Sequence, residues 1–108
     1  MTVQRSSRFE TDLEKQFRWY LVETDLDPTD ASALAYRFSD AVDEALVFLE
    51  RNPASGRRRF SGLPGFAGVR SWRVQKQFDR FIIFYRVEEG ILFAERLLEG
   101  HSKLAGGR

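Results

Sequence analysis

The sequence contains no cysteine, one histidine and three prolines. Without thiols it can build no disulfide framework, thiolate zinc site or cysteine nucleophile, and this usage suits a reducing cytoplasm. No run approaches the roughly 20 apolar residues that span a bilayer. The opening stretch meets charge within a few residues and has no apolar segment of the signal-peptide kind. A soluble, cytoplasmic protein without membrane contact is the expectation. Internal repeats and low-complexity tracts are also missing. The 108 residues, 43% of them hydrophobic, suit one domain over positions 1–108, because a chain of this size buries about two thirds of its unfolded surface around a single core.

The net charge of +1 hides a division along the chain. Residues 1–50 carry five Lys/Arg against eleven Asp/Glu, and residues 51–108 carry twelve against five. A basic half of this kind can meet an acidic partner or nucleic acid, or lie beside the acidic half and be compensated within the fold.

Ser7 followed by Glu10 has the form of a capping box, and Phe9, Leu13, Phe17, Tyr20 and Leu21 then recur at helical spacing. This predicts a first helix from about Arg8 to Glu23. Asp27 before Pro28 supplies an N-cap and a first helical position, since proline there loses no hydrogen bond. Leu34, Phe38, Val42, Ala45, Leu46 and Leu49 continue as an apolar stripe until Asn52, where Pro53 disfavours further helix. The two helices form a hairpin with acidic outer faces, and carboxylate pairs such as Asp43-Glu44 on the polar face suggest no hydrolase or metal site.

Residues 54–68, with four glycines, a proline and three consecutive arginines, have no period and read as a connecting loop. Val69 to Lys76 alternates, with Arg70, Trp72, Val74 and Lys76 on one face and Val69, Ser71, Arg73 and Gln75 on the other. Residues 80–88 are a dense run of β-formers, as in a central strand. Glu89-Gly90 turns the chain into a last strand, Ile91 to Leu98, as an antiparallel hairpin. With a short first strand around Thr2 to Arg5, the order is β-α-α-β-β-β. The fold class is α+β, a two-helix hairpin packed on an antiparallel sheet.

The second half resembles the RelE/ParE toxins, and within them the ParE-like branch associated with plasmid stabilisation. The resemblance is carried by N-P-x-x-G at Asn52 to Gly56, L-P-G at Leu63 to Gly65, VRSWRV at Val69 to Val74, IIFYRVE at Ile82 to Glu88 and R-L-L-x-G at Arg96 to Gly100. Each element is short; the ordered set is specific. The resemblance implies the toxin of a type II toxin-antitoxin system, a growth inhibitor that binds DNA gyrase and is neutralised by a cognate ParD-like antitoxin. No cofactor is implied. The alternatives are a ribosome-dependent mRNA endonuclease of RelE type and a decayed toxin that only binds antitoxin.

Cleavage of RNA by its 2′-hydroxyl needs a base, an acid and cations around the phosphate. The RelE pattern implies an arginine where this chain has Ile82. It implies a second arginine in the region of His101, Ser102 and Lys103, and a tyrosine near Arg108. Arg73, Tyr85 and His101 are the residues left for a nuclease, so binding is favoured over cutting. ParE members show a histidine before the last motif's glycine, where Glu99 stands here.

For partner binding the candidates are Arg70, Arg73, Lys76, Arg86, Arg96, His101 and Lys103, which could form one basic surface. Arg57, Arg58 and Arg59 have the look of a nucleic-acid arm, but three charges in a glycine-rich loop ordinarily stay solvated. Direct nucleic-acid binding is expected only through the antitoxin, or in the RelE-like case. Trp19 lies off the main helical stripe as a candidate exposed anchor, Trp72 fits core packing, and Tyr85 fits a core side chain with its tip at the sheet edge.

Overall fold

The computed structural model describes residues 1–59, 65 and 67–100. The order is β1 (Thr2–Arg5), α1 (Ser7–Val22), α2 (Pro28–Arg51), β2 (Arg57–Arg58), β3 (Arg70–Arg73), a 3-10 turn (Lys76–Phe78), β4 (Phe81–Glu88) and β5 (Ile91–Glu99). The strands form one five-stranded sheet in the order β1-β5-β4-β3-β2. The two helices cover one face of it, as expected for the α+β class.

Two features depart from the sequence reading. The sheet is mixed, because β1 pairs parallel to β5 from Thr2↔Ile91 to Arg5↔Ala94. The two strands are joined through the whole intervening chain, both helices and three strands, so their parallel pairing needs no tight turn between them. The second departure is that part of the arginine-rich connector is a strand. Arg57 pairs with Ser71 and Arg58 with Arg70, and the Arg59 amide continues the ladder to the Val69 carbonyl at 2.9 Å.

Local chemistry explains the helix ends. The cap of α1 is Ser6, one residue earlier than the sequence pattern places it. Its Oγ accepts from the Phe9 amide at 3.0 Å and donates to the Glu95 carbonyl at 2.8 Å, while its own amide donates to the Ala94 carbonyl. Strand pairing thus carries the chain straight into the first helical turn. In α2 the Asp27 side chain accepts from the Asp30 amide at 2.9 Å with Pro28 next in line, and Asn52 ends the helix. The β4–β5 turn has both central residues at positive φ, Glu89 at 52° and Gly90 at 77°. That is the conformation whose twist suits a two-residue hairpin.

The core lies between the helices and the sheet. Phe9, Phe38, Val42, Leu46 and Leu49 meet Ile83, Tyr85, Leu92, Ala94 and Leu97. Phe38 is its aromatic hub, with ring centroids 5.4 Å from Tyr20, 5.4 Å from Phe78 and 5.1 Å from Phe81. A bulge in β5 lets Leu92, Ala94 and Leu97 all point inward: Phe84 pairs with Arg96 and Tyr85 with Ala94, which leaves Glu95 as the extra residue. Strict alternation from Leu92 would have turned Leu97 away from the core.

Tyr85 ties the sheet to the end of α2. Its buried hydroxyl donates to the Pro53 carbonyl at 2.8 Å and accepts from the Gly56 amide at 2.9 Å. Any Cβ at position 56 would overlap the phenol ring, so the glycine is required by close approach. Arg70 reinforces the turn by donating from Nη1 to the carbonyls of Gly56, at 2.8 Å, and Ala54, at 3.2 Å.

Tyr85→Phe removes only the hydroxyl and strands two backbone groups, so urea unfolding is expected to show a loss of about 1–3 kcal/mol. Burial also raises the Tyr85 phenol above its ordinary value, and raises Tyr20 likewise. A raised acid favours the neutral form in the native state. Its contribution is complete below the unfolded-chain value of about 10 and is lost as pH rises through the native value. Alkaline titration of the unfolding midpoint should therefore show a decline above that pH that is shallower in Tyr85→Phe.

Candidate partner-binding face

Residues paired across neighbouring strands share a face of the sheet, so the core residues of β4 divide the rest. Phe81, Ile83 and Tyr85 face the helices. Through the pairing, Arg58, Arg70 and Trp72 belong to the helix side. Arg57, Ser71, Arg73, Ile82, Phe84, Arg86, Arg96 and Leu98 belong to the opposite, open side. Arg59, paired by its amide with Val69, joins them.

A groove enclosing about 520 Å³ crosses this open side. Val69, Phe84 and Leu98 supply its apolar surface; Arg8, Arg86 and Arg96 supply cationic groups, with Glu95 between them. Arg86 Nε lies 2.9 Å from Glu95 Oε2, but its N–H is not aimed at that oxygen, so the contact is an ion pair without a hydrogen bond. Arg86 Nη2 donates to the Gly65 carbonyl at 3.3 Å. Arg8 is exposed and has no ion-pair partner among the described residues.

Arg96 is held from α1. Asp12 accepts from Arg96 Nε at 2.8 Å and Nη2 at 3.0 Å, and its Oδ2 also accepts the Leu97 amide at 2.9 Å. The hydrogen bonds to Asp12 raise the Arg96 guanidinium above its ordinary value. Beyond Ala94 the edge of β5 has no strand neighbour among the described residues, and the Asp12 carboxylate takes the place of one. A carboxylate that receives a forked guanidinium and a backbone amide together is held in one geometry.

The structure separates the candidates that the sequence groups together. Arg70 lies on the helix side, engaged with the turn after α2. Lys76 is not on a strand, because β3 ends at Arg73; it sits exposed in the 3-10 turn with φ 61°. Arg73, Arg86 and Arg96 share the open side, where Arg73 Nη1 donates to the Asp79 carbonyl at 2.8 Å. His101 and Lys103 lie outside the described residues. For the nuclease set, Arg73 and Tyr85 fall on opposite faces of the sheet, and the Tyr85 hydroxyl is committed to Pro53 and Gly56. Trp72 stacks on Phe48 of α2, with centroids 5.0 Å apart and rings 19° from parallel. Trp19 is 44% exposed.

Sequence reasoning missed Arg8, Arg57 and Arg59 as members of this face. The signal was present in part: residues two apart in an extended segment share a side, which places Arg57 with Arg59 and excludes Arg58. That inference first requires knowing that the segment pairs with β3.

No helix among the described residues is long and apolar enough to cross a membrane. Residues 3–102 match the family model described as the ParE toxin of the type II toxin-antitoxin system parDE. No curated protein matches the sequence. Among solved structures, a chain of the chromosomal ParDE TA system from P. aeruginosa superimposes with a TM-score of 0.69 at 19% identity, covering 94% of this chain and 97% of that one. At this identity the likeness establishes the fold, which agrees with two helices on a mixed five-stranded sheet.

Asp12→Ala leaves the Leu97 amide and the Arg96 guanidinium without their acceptor. Thermal or urea unfolding should register a loss of about 2–3 kcal/mol. A loss below about 0.5 kcal/mol would show that water replaces the carboxylate at this edge without penalty.

Proposed function

This chain belongs to the ParE toxin family of type II toxin-antitoxin systems, and from that membership we propose that it arrests growth by binding DNA gyrase and is neutralised when a cognate ParD-like antitoxin covers the open sheet face. The observation that carries this reading is the groove, which places an apolar surface from Val69, Phe84 and Leu98 beside the guanidinium groups of Arg8, Arg86 and Arg96. Such a surface suits an antitoxin segment that pairs apolar anchors with Asp or Glu, because desolvated apolar contact supplies affinity while charge supplies orientation and encounter rate. The solved P. aeruginosa system is itself a ParDE assembly by description; by extension, an antitoxin is the first partner proposed for this chain.

Binding is favoured over RNA cleavage by the disposition of the remaining candidates. General acid-base chemistry needs its groups within hydrogen-bond reach of one reacting centre. Arg73 and Tyr85 are divided by the sheet, and the phenol already donates its hydrogen bond to the Pro53 carbonyl. The partner-binding role accordingly falls to Arg73, Arg86 and Arg96 on the open side, together with His101 and Lys103, which follow β5 in sequence.

A supercoiling assay with the antitoxin-free chain tests the target: gyrase should be inhibited with no cleavage of ribosome-bound transcripts. Cleaved transcripts with unaffected supercoiling would overturn the reading in favour of the endonuclease. Leu98→Asp, a substitution at a half-exposed groove position, should weaken antitoxin binding at least about tenfold, since it puts a charge into an apolar contact. Titration calorimetry against the antitoxin encoded beside the gene measures that change. Unchanged affinity would remove the groove from the interface.

A further inference from the structure

We propose that the open sheet face carries, at its β2–β3 end, a phosphodiester-binding cleft in which Arg57, Arg59 and Arg73 hold the backbone of a nucleic-acid strand. The inference goes beyond the gyrase and antitoxin reading and does not depend on it. The cleft encloses about 470 Å³ and includes all three arginines, with the hydroxyl residues Ser55 and Ser71 and the amide of Gln75 beside them.

The first argument is charge. Among the described residues no carboxylate lines the cleft. Among them, too, none of the three arginines forms an ion pair, whereas Arg5, Arg18, Arg80, Arg86 and Arg96 all do. Arg73 gives Nη1 to the Asp79 carbonyl, and Arg59 gives Nε to Ser71 Oγ at 2.7 Å. These bonds leave the rest of each guanidinium fork available while restricting its orientation, and Ser71 is itself buried. An anion entering here meets donors that are already partly organised, so less rotamer entropy is given up on binding.

The second argument is spacing. Arg57 and Arg59 are two residues apart on a paired segment, so their Cα atoms are separated by roughly 7 Å along it. That is near the repeat of adjacent phosphates in an extended strand. Arg73 approaches from β3, giving a second row of contact. Arginine, serine and glutamine side chains are the groups that usually bind phosphate oxygens, and such contacts position a strand without reading its sequence.

The third argument distinguishes phosphate from an acidic polypeptide. A peptide added to a sheet edge takes specificity from pockets for alternate side chains. Among the described residues the edge runs only over Arg57–Arg59, and Trp72 is the one apolar residue lining the cleft, its ring already stacked on Phe48. The neighbouring groove, with Val69, Phe84 and Leu98, is where a peptide finds apolar anchors. The two ends of the open face thus differ in chemistry.

The test is fluorescence anisotropy of a labelled oligothymidylate with the full-length, antitoxin-free chain over a range of salt concentrations. Arg57→Ser/Arg59→Ser/Arg73→Ser should weaken binding at least about tenfold and flatten the salt dependence by about 2 in the log-log slope, near 0.7 for each single-strand phosphate that is no longer neutralised. The charge-matched Lys15→Ser/Arg18→Ser/Arg37→Ser variant alters only exposed helical positions and should bind nearly as the parent does. If the triple variant fails to fold by circular dichroism, Arg57→Ser alone decides the matter, since Arg57 is exposed and makes no side-chain bond among the described residues; its slope should fall by about 0.7. Equal weakening in both triple variants would reduce the effect to overall charge and overturn the proposal. Competition by oligoglutamate as strong as by unlabelled oligothymidylate would also overturn it, assigning the cleft to an acidic polypeptide.

Discussion

The hydroxyl of Tyr85 is the point on which the arrangement turns. A phenol buried in the middle of an apolar layer needs partners, because an unpaired polar group there costs a large share of a small protein's stability. Here the partners are the Pro53 carbonyl and the Gly56 amide. The N-P-x-x-G sequence is therefore more than a helix terminator. Asn52 ends α2, Pro53 presents its carbonyl, and Gly56 provides the close approach that any side chain would block. With Arg70 holding the same turn, the chain leaves α2 in a defined direction and its next residues fall into register with β3.

That latch divides the arginines into two groups with different work. Arg70 is absorbed by the structure on the helix side. Arg86 and Arg96 stand on the open side but are tied to Glu95 and Asp12, so they act as oriented charges rather than solvated ones. Arg57, Arg59 and Arg73 also stand there and face no carboxylate among the described residues. Among the described residues the open side thus has two regions, one apolar groove in which Arg86 and Arg96 are paired and Arg8 is not, and one polar cleft whose arginines form no ion pair. Compensation between the acidic and basic halves is real but local: Asp12 of α1 reaches Arg96, and no carboxylate of the described residues pairs with Arg57, Arg59 or Arg73.

Much of this was legible from residue patterns. The 3.6-residue recurrence in α2 has Phe38, Val42, Ala45, Leu46 and Leu49 buried as expected. Asp27-Pro28 caps that helix, Glu89-Gly90 makes the hairpin turn, and the ordered motifs of the second half identify the family. Ser6 in place of Ser7 as the cap was not legible, because the local pattern with Glu10 favours Ser7, whereas Ser6 Oγ also bonds the remote Glu95 carbonyl. Nor was the inward turn of Leu97, since a bulge changes the period where no sequence signal announces it.

What the sequence alone determined is what depends on nearest neighbours and periodicity: where the helices run, where the chain reverses, which strand is central and which family the motifs belong to. Only the tertiary structure decided which face each arginine occupies and whether it meets a carboxylate. The physical reason is that side-chain direction in a sheet follows pairing register, and the partners of Tyr85, Arg96 and Arg57 come from segments remote in sequence. A one-residue slip in pairing would exchange the two faces. The Tyr85 contacts with Pro53 and Gly56 help hold that register, and they form only after α2 and β4 have met.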